Sequence, residues 1–149
     1  MPSIKAETPI LETESISGLP KGNEKILVVD DEENITKLAK EMLGKLGYEV
    51  TTYTSSSKAL LAFRRNPEAF DLVITDMTMP HMTGDEMAMK MMKVRPDIPV
   101  ILCTGHSNQI TEEEALALGI RGFLLKPIQG KIFAEKIRKV LDERFLSPE

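Results

Sequence analysis

The sequence predicts an α/β fold in which a parallel five-stranded sheet is covered by helices on both faces. Short apolar runs alternate with amphipathic helical patterns five times between residues 24 and 146, and such alternation is typical of parallel sheets. The first run, Ile26–Val29, is apolar at four consecutive positions, as expected of a strand that is buried on both faces. The length of 149 residues allows one domain of this kind.

The predicted elements follow each other in a regular order. After the first strand, apolar residues from Ile35 to Leu46 recur with helical spacing, and Gly47 ends that helix. The next helix begins at Ser56 or Ser57 and closes at Asn66-Pro67, and Thr111 to Glu114 matches a capping box. The other strands are expected at Val50–Tyr53, Leu72–Thr75, Pro99–Cys103 and Phe123–Leu125, and the other helices at about 84–94, 111–119 and 132–141.

The two ends of the chain are predicted to lie outside this domain. Residues 1–23 form a flexible tail or linker in this interpretation, because Ser, Thr, Glu and Pro dominate and the apolar residues follow no sustained period. Residues 147–149 form a short C-terminal tail, which leaves residues 24–146 for the domain.

Composition excludes several classes of protein. A net charge of -4 argues against a whole-surface electrostatic grip on nucleic acid. With Cys103 as the single cysteine, neither an intrachain disulfide nor a cysteine-rich zinc site can form. The chain has no apolar run of 18 residues and no secretion signal at its N-terminus, so we expect a cytoplasmic protein with no membrane contact.

Polar residues stand at the ends of four predicted strands, where parallel α/β folds bind their ligands. They are Asp30 and Asp31 after the first strand, Asp76 after the third, Thr104 after the fourth and Lys126 after the fifth. Clustered carboxylates repel one another unless a cation intervenes, and oxygen ligands suit Mg²⁺. A lysine and a hydroxyl can hold phosphoryl oxygens, and one carboxylate can act as a nucleophile that forms an acyl phosphate.

These motifs resemble the receiver domain of bacterial two-component response regulators. The matching residues are Asp30-Asp31, Asp76 followed by Met77-Thr-Met-Pro80, Thr104-Gly105 and Lys126-Pro127, within about residues 24–146. The chain is similar in particular to the C-terminal receiver of hybrid sensor histidine kinases. The resemblance implies a flavodoxin-like (βα)5 fold with strand order 2-1-3-4-5.

The resemblance also implies a role for each residue of the site. Asp76 would be the phosphoacceptor and Lys126 would contact the phosphoryl group. Asp31, Asp76 and the backbone carbonyl of Thr78 would bind one Mg²⁺ ion per domain directly, and Asp30 would act partly through water.

Further residues are implied to control the response to phosphorylation. Thr104 would be the switch hydroxyl and Phe123 the switch aromatic residue, while Thr78 and His106 would tune the lifetime of the phosphoryl group. The Lys126–Pro127 peptide bond is expected to be cis.

The function implied is phosphorelay signal transduction. The domain would take a phosphoryl group from a histidine kinase or a histidine phosphotransfer domain. It would then switch the face made by its fourth helix, fifth strand and fifth helix for a downstream protein partner. Beyond self-catalysed phosphorylation and dephosphorylation of Asp76, the chain is not expected to be an enzyme. We expect a monomer or weak dimer that does not bind nucleic acid directly.

Several alternatives stay open at this stage. The N-terminal segment favours a receiver of a hybrid kinase, whose parent protein would be a histidine kinase, over a regulator with a DNA-binding output domain. A stand-alone regulator that acts by protein contact is the alternative. A receiver-like binding module without phosphorylation is a second class. A phosphatase of the haloacid dehalogenase type is remote, because Thr78 stands where those enzymes need an aspartate.

Three features have a structural interpretation. Seven of the nine methionines lie between Met77 and Met92, and they either fill the core or form an adaptable docking surface. Cys103 is expected to be a small core residue. The basic residues Lys131, Lys136, Arg138 and Lys139 are expected on the solvated face of the last helix, which is also a partner face in receivers.

Overall fold

Strands and helices alternate along the part of the chain that the computed structural model describes, which is residues 18–105 and 110–143. The strands are β1 (Lys25–Val29), β2 (Glu49–Tyr53), β3 (Leu72–Asp76), β4 (Val100–Thr104) and β5 (Gly122–Leu125). The helices are α1 (Glu33–Lys45), α2 (Ser56–Arg65), α3 (Gly84–Val94), α4 (Glu112–Ala117) and α5 (Gly130–Glu143). A 3-10 turn at Pro67–Ala69 follows α2.

All neighbouring strands are parallel, and their order is β2-β1-β3-β4-β5. The fold class and strand order predicted from the sequence are therefore confirmed. Val28 lies opposite Thr52 on one side and Ile74 on the other, so β1 is an inner strand. This register brings the carboxyl ends of β1, β3, β4 and β5 to one edge of the sheet.

The core has two apolar layers, one on each face of the sheet. Ile26 and Val28 pack against α1 and α5, whereas Leu27 and Val29 pack against the layer of α2, α3 and α4. A strand whose alternate side chains enter different layers must be apolar throughout, which explains the uninterrupted run in β1. In the methionine-rich segment, the side chains of Met79, Met87 and Met91 are buried in the second layer, as expected of core residues, while Met89 is exposed.

Local sequence signals set the helix ends. The Thr111 N–H donates to Glu114 Oε1 at 2.9 Å and the Glu114 N–H donates to Thr111 Oγ1 at 3.1 Å, so the predicted capping box is present. Helix α2 begins at Ser56, and its capping side chain is Ser55. Gly47 follows α1 with a φ of 103°, a left-handed conformation that favours glycine.

Within the described residues, no helix is both long enough and apolar enough to span a bilayer.

The segment before β1, residues 19–24, packs onto the domain, and we call it the strap. Leu19 contacts the layer of α1 and α5, and the Gly22 N–H donates to the Leu46 carbonyl oxygen at 3.1 Å. The structure thus differs from the predicted flexible tail over residues 19–23. These contacts involve one apolar side chain and one backbone hydrogen bond, which leave no periodic pattern from which they could be predicted. The domain boundaries themselves stay a prediction.

Arg138 fastens the strap to α5. Its guanidinium lies 2.7 Å from Glu24 Oε2 and 2.8 Å from Asp142 Oδ1, and it also donates to the Lys21 carbonyl oxygen at 3.1 Å and to the Tyr48 hydroxyl at 3.4 Å. The hydrogen bond from Arg138 holds the pKa of Glu24 below its usual value. The prediction that Arg138 lies on the solvated face of the last helix is therefore wrong, because its side chain is only 22% exposed.

We expect the substitution Arg138→Met to lower the free energy of unfolding by about 1–3 kcal/mol, because it removes charge-assisted hydrogen bonds at a partly buried position. The neighbouring Lys139→Met is the control, since Lys139 is exposed, and its effect should stay within about 0.5 kcal/mol. Urea unfolding of both variants measures the difference. Equal losses in the two variants would contradict this role of Arg138.

Candidate functional site

The polar residues predicted to meet do meet at the carboxyl edge of the sheet. Asp30 directly follows β1, Asp76 is the last residue of β3, Thr104 is the last residue of β4 and Lys126 directly follows β5. Asp76 lies opposite Cys103 in the register of β3 and β4, and Thr104 lies opposite Leu125 in that of β4 and β5. The parallel sheet thus gathers residues that are far apart in the sequence.

Three carboxylates form the centre of this site. Asp30, Asp31 and Asp76 each offer one carboxylate oxygen, and these oxygens all lie within 4.8 Å of one another. Asp30 and Asp76 are buried, while Asp31 is exposed. Oxygen ligands at this spacing, with one side open to solvent, fit a hard divalent cation that retains some of its water.

Lys126 supplies the positive charge of the site. Its Nζ lies 2.8 Å from Asp76 Oδ1 and 3.3 Å from Asp30 Oδ2. The backbone N–H of Lys126 donates to the Thr104 carbonyl oxygen at 2.8 Å, which aligns the end of β5 with the end of β4. The Lys126–Pro127 peptide bond is cis.

Burial and crowding disfavour the ionised carboxylates. Burial raises the pKa of Asp30 to about 6, although the hydrogen bond from the Glu32 N–H and the charge of Lys126 both lower it. Burial likewise raises the pKa of Asp76, and the charge of Asp31 adds to the shift. Burial opposes the charge of Lys126, but the hydrogen bond to Asp76 and the charge of Asp30 leave its pKa above the usual value. One ammonium against three carboxylates leaves an excess of negative charge that a divalent cation would neutralise.

Hydrogen bonds and close packing position Asp30 and Asp76 at the ends of their strands. The Glu32 N–H donates to Asp30 Oδ1 at 2.9 Å, and the Thr75 hydroxyl donates to the Asp76 carbonyl oxygen at 2.9 Å. Gly84, the first residue of α3, lies directly against that same carbonyl, where an added Cβ would overlap the oxygen. Neither Gly84 nor the Glu32 N–H was among the predicted residues of the site. A glycine at the start of a helix, shortly after the Asp76 motif, was the available signal.

The other predicted residues lie at varying positions. Thr104 is buried, and its hydroxyl donates to the Gly105 carbonyl oxygen at 3.3 Å. Phe123 is half-buried in β5 and packs against the layer of α2, α3 and α4. Thr78 is exposed, two residues after Asp76, and His106 lies outside the described residues. Cys103 is buried, which raises the pKa of its thiol to about 12 and confirms it as a core residue.

Comparison with known families identifies the domain. A profile described as "Response regulator receiver domain" matches residues 26–138, which cover every strand residue except Lys25 and most of the helical residues. The chain belongs to the response regulator receiver family. The predicted resemblance is confirmed, and with it a role as a receiver domain in phosphorelay signalling.

Relatives and solved structures of receivers agree with this assignment. The chemotaxis protein CheY of Thermotoga maritima is 29% identical over 116 residues, covering 78% of this chain and 96% of that protein. A receiver domain protein from Clostridium thermocellum superposes with a TM-score of 0.78 at 34% identity, covering 83% of this chain and 98% of that one. A CheY-like receiver from Methanospirillum hungatei JF-1 gives a TM-score of 0.76 at 32% identity, with 84% and 98% covered.

Other receiver relatives are much longer than this chain. The two-component response regulator ARR12 of Arabidopsis thaliana is 32% identical over 132 residues, which cover 89% of this chain but 22% of that protein. The probable transcriptional regulator ycf27 of Pyropia yezoensis is 36% identical over 118 residues, or 79% of this chain and 47% of the relative. The chain therefore spans less than half the length of these curated relatives.

The substitution Asp30→Asn should stabilise the receiver by about 1–2 kcal/mol at pH 7.5 without divalent cations, because it removes a buried charge whose pKa is raised. The folded state holds this proton more tightly than the unfolded state, so the wild type loses stability as the pH rises from about 4 to 6. The variant lacks this loss, and its advantage should shrink as the pH falls through that range.

Urea unfolding across the pH range in EDTA measures the effect. Glu41→Gln at an exposed position of α1 is the control for the change in net charge. An Asp30→Asn variant that is less stable than the wild type at pH 7.5 would contradict the unfavourable burial of this carboxylate.

Proposed function

We propose that this receiver accepts a phosphoryl group on Asp76 from a phosphohistidine of a histidine kinase or a histidine phosphotransfer domain. The observation that carries the proposal is the convergence of three carboxylates and the Lys126 ammonium at one edge of the sheet. Membership in the receiver family supports a partner of this class. An aspartate with a lysine at hydrogen-bonding distance and two further carboxylates beside it combines a nucleophile with a cation site.

The transfer requires few groups from the protein. An Asp76 carboxylate oxygen attacks the phosphorus atom, an O–P bond forms and the P–N bond to the donor imidazole breaks. The Lys126 ammonium then donates to a phosphoryl oxygen and offsets the added negative charge. One Mg²⁺ ion, held by Asp31, Asp76, the Thr78 carbonyl and, through water, Asp30, would supply further positive charge against the phosphoryl oxygens.

Thr104 and Phe123 would carry the switch. The Thr104 hydroxyl donates to the Gly105 carbonyl at a long 3.3 Å, so a phosphoryl oxygen offers it a stronger acceptor. Its displacement toward Asp76 would make room for the half-buried Phe123 to turn inward. These movements bias a two-state element through a local change of charge.

The face of α4, β5 and α5 would bind the downstream protein. Leu125 in β5 is 57% exposed, and Leu116 in α4 and Ile132 in α5 are also exposed. A cavity of about 420 Å³ at this face is lined partly by Phe123, Leu125 and Ile132. An apolar surface that includes the switch aromatic residue is suited to a partner that distinguishes the two states.

The wider context is proposed from the resemblance of the N-terminal segment to kinase linkers. It favours a receiver of a hybrid sensor histidine kinase, with a stand-alone regulator as the alternative. The near-complete coverage of a chemotaxis protein supports that alternative. The coding sequence upstream distinguishes the two. Three further points stay predictions. The protein is expected to be a cytoplasmic monomer or weak dimer, and it is not expected to bind nucleic acid directly. Thr78 and His106 are expected to tune the lifetime of the phosphoryl group.

Incubation with acetyl phosphate and Mg²⁺ should add one phosphoryl group to the wild type and none to Asp76→Asn, because the amide is not a nucleophile of this kind. Intact-mass spectrometry measures the stoichiometry. Asp97→Asn, at an exposed position, is the control and should be phosphorylated like the wild type. Unchanged uptake by Asp76→Asn would refute Asp76 as the phosphoacceptor.

The substitution Thr104→Ala should separate phosphorylation from the switch. We expect the variant to be phosphorylated, while phosphorylation-dependent amide shifts in α4, β5 and α5 fall to less than about half, because the hydroxyl that responds to the new charge is absent. Thr51→Ala, at an exposed position in β2, is the control. If phosphorylated Thr104→Ala shows amide shift changes as large as those of the wild type, Thr104 is not the switch.

A further inference from the structure

The outer sides of α2 and α3 form a basic surface, which we call the α2–α3 face. The two helices pack against each other on the same side of the sheet. Their exposed cations are Lys58, Arg64, Arg65, Lys90 and Lys93. Among the residues that the structure describes, none of these five side chains forms an ion pair. Helix α2 has no acidic residue, and the exposed acid of α3, Glu86, accepts a hydrogen bond from the Thr83 N–H at 3.1 Å.

Helix electrostatics explain only part of this pattern. Arg64 and Arg65 lie in the last turn of α2 and Lys93 lies in the last turn of α3, where cations favourably oppose the helix dipole. Lys58, however, lies in the first turn of α2, where the dipole disfavours a cation. Lys90 lies in the middle of α3, four residues after Glu86, a spacing at which the two opposite charges attract weakly. Lys58 alone therefore breaks a local rule, and among the described residues no ion pair compensates it, which favours a role outside the fold.

Apolar side chains are interspersed among these cations. Leu61 is 53% exposed and lies three residues after Lys58 and four before Arg65, so these residues share one stripe of α2. On α3, Met89 and Val94 are exposed beside Lys90 and Lys93. The α2–α3 face therefore combines aliphatic contact area with unpaired positive charge.

We propose that the α2–α3 face binds an acidic amphipathic protein helix. Charge complementarity requires an anionic partner, and aliphatic residues at helical spacing match the apolar stripe of such a helix. The face contains no exposed aromatic residue on which a base of a nucleic acid could stack. The surface includes no residue of the carboxylate site or of α4, β5 and α5, so it is separate from the surfaces of the proposed function.

The probe is a blocked synthetic peptide of about 18 residues, or five helical turns, made of Glu and Leu with the Leu residues at helical spacing. The variant is K58E/K90E, which places an acid in the first turn of α2 and so is expected to preserve the helix. The control is K40E/K131E, which makes the same change of charge in the middle of α1 and the first turn of α5. Fluorescence anisotropy measures peptide affinity for each protein.

We expect the peptide to bind K58E/K90E about tenfold more weakly than the wild type, and K40E/K131E within about twofold of it. Absence of binding to the wild type, equal losses in the two variants or tighter binding of a Lys and Leu peptide would overturn the proposal. The proposal would also be overturned if the face bound phosphatidylserine vesicles or duplex DNA in preference to the peptide, and if that binding depended on Lys58 and Lys90. Sedimentation could also show that the wild type self-associates and that K58E/K90E does not. That result would assign the face to a second copy of the chain and would likewise overturn the proposal.

Discussion

Three carboxylates share one ammonium at the carboxyl edge of the sheet, and the rest of the site depends on this crowding. Burial makes it unfavourable for Asp30 and Asp76 to be ionised together, and the nearby Asp31 adds to the cluster. Lys126 contacts two of the three and neutralises only part of the charge. The cluster therefore fits a divalent cation, and in the proposed function that cation and Lys126 would together offset the charge of a phosphoryl group.

The parallel sheet is what keeps such groups together against their repulsion. β1 and β3 are neighbours and Val29 pairs with Thr75, so the backbones of Asp30 and Asp76, the next residues, are held close together by strand pairing. Gly84 brings α3 against the Asp76 carbonyl, and the Glu32 N–H holds the Asp30 carboxylate. The free energy of the two apolar layers maintains an arrangement that the charges alone would disperse. A strained local charge distribution supported by a stable fold is a common property of binding sites.

Much of this could be predicted from the sequence because it follows from periodicity and from strand ends. The buried run in β1 and the helical spacing of α1 each specify their structure locally, and the rule for parallel sheets then brings Asp30, Asp76 and Lys126 together. The contacts of the strap and of Arg138 could not be predicted, because they join residues that are far apart in the sequence. Arg138 meets Glu24 across more than a hundred residues, and a long-range ion pair leaves no pattern in either local sequence. Likewise, the exposed cations of α2 and α3 form one surface only because the two helices are neighbours in the fold, which neither local sequence indicates.

The dependence of stability on Mg²⁺ tests most directly whether the crowded carboxylates form a cation site. The free energy of unfolding should be measured by urea at pH 7.5 over a range of MgCl2 concentrations, with ionic strength kept constant by NaCl. If the cluster binds the ion in the folded state only, stability rises with the logarithm of its concentration, by about 1.4 kcal/mol at ten times the dissociation constant. Replacing Asp31 by Asn should abolish most of that rise. Stability that stays independent of Mg²⁺ up to millimolar concentrations would contradict a metal-dependent receiver site.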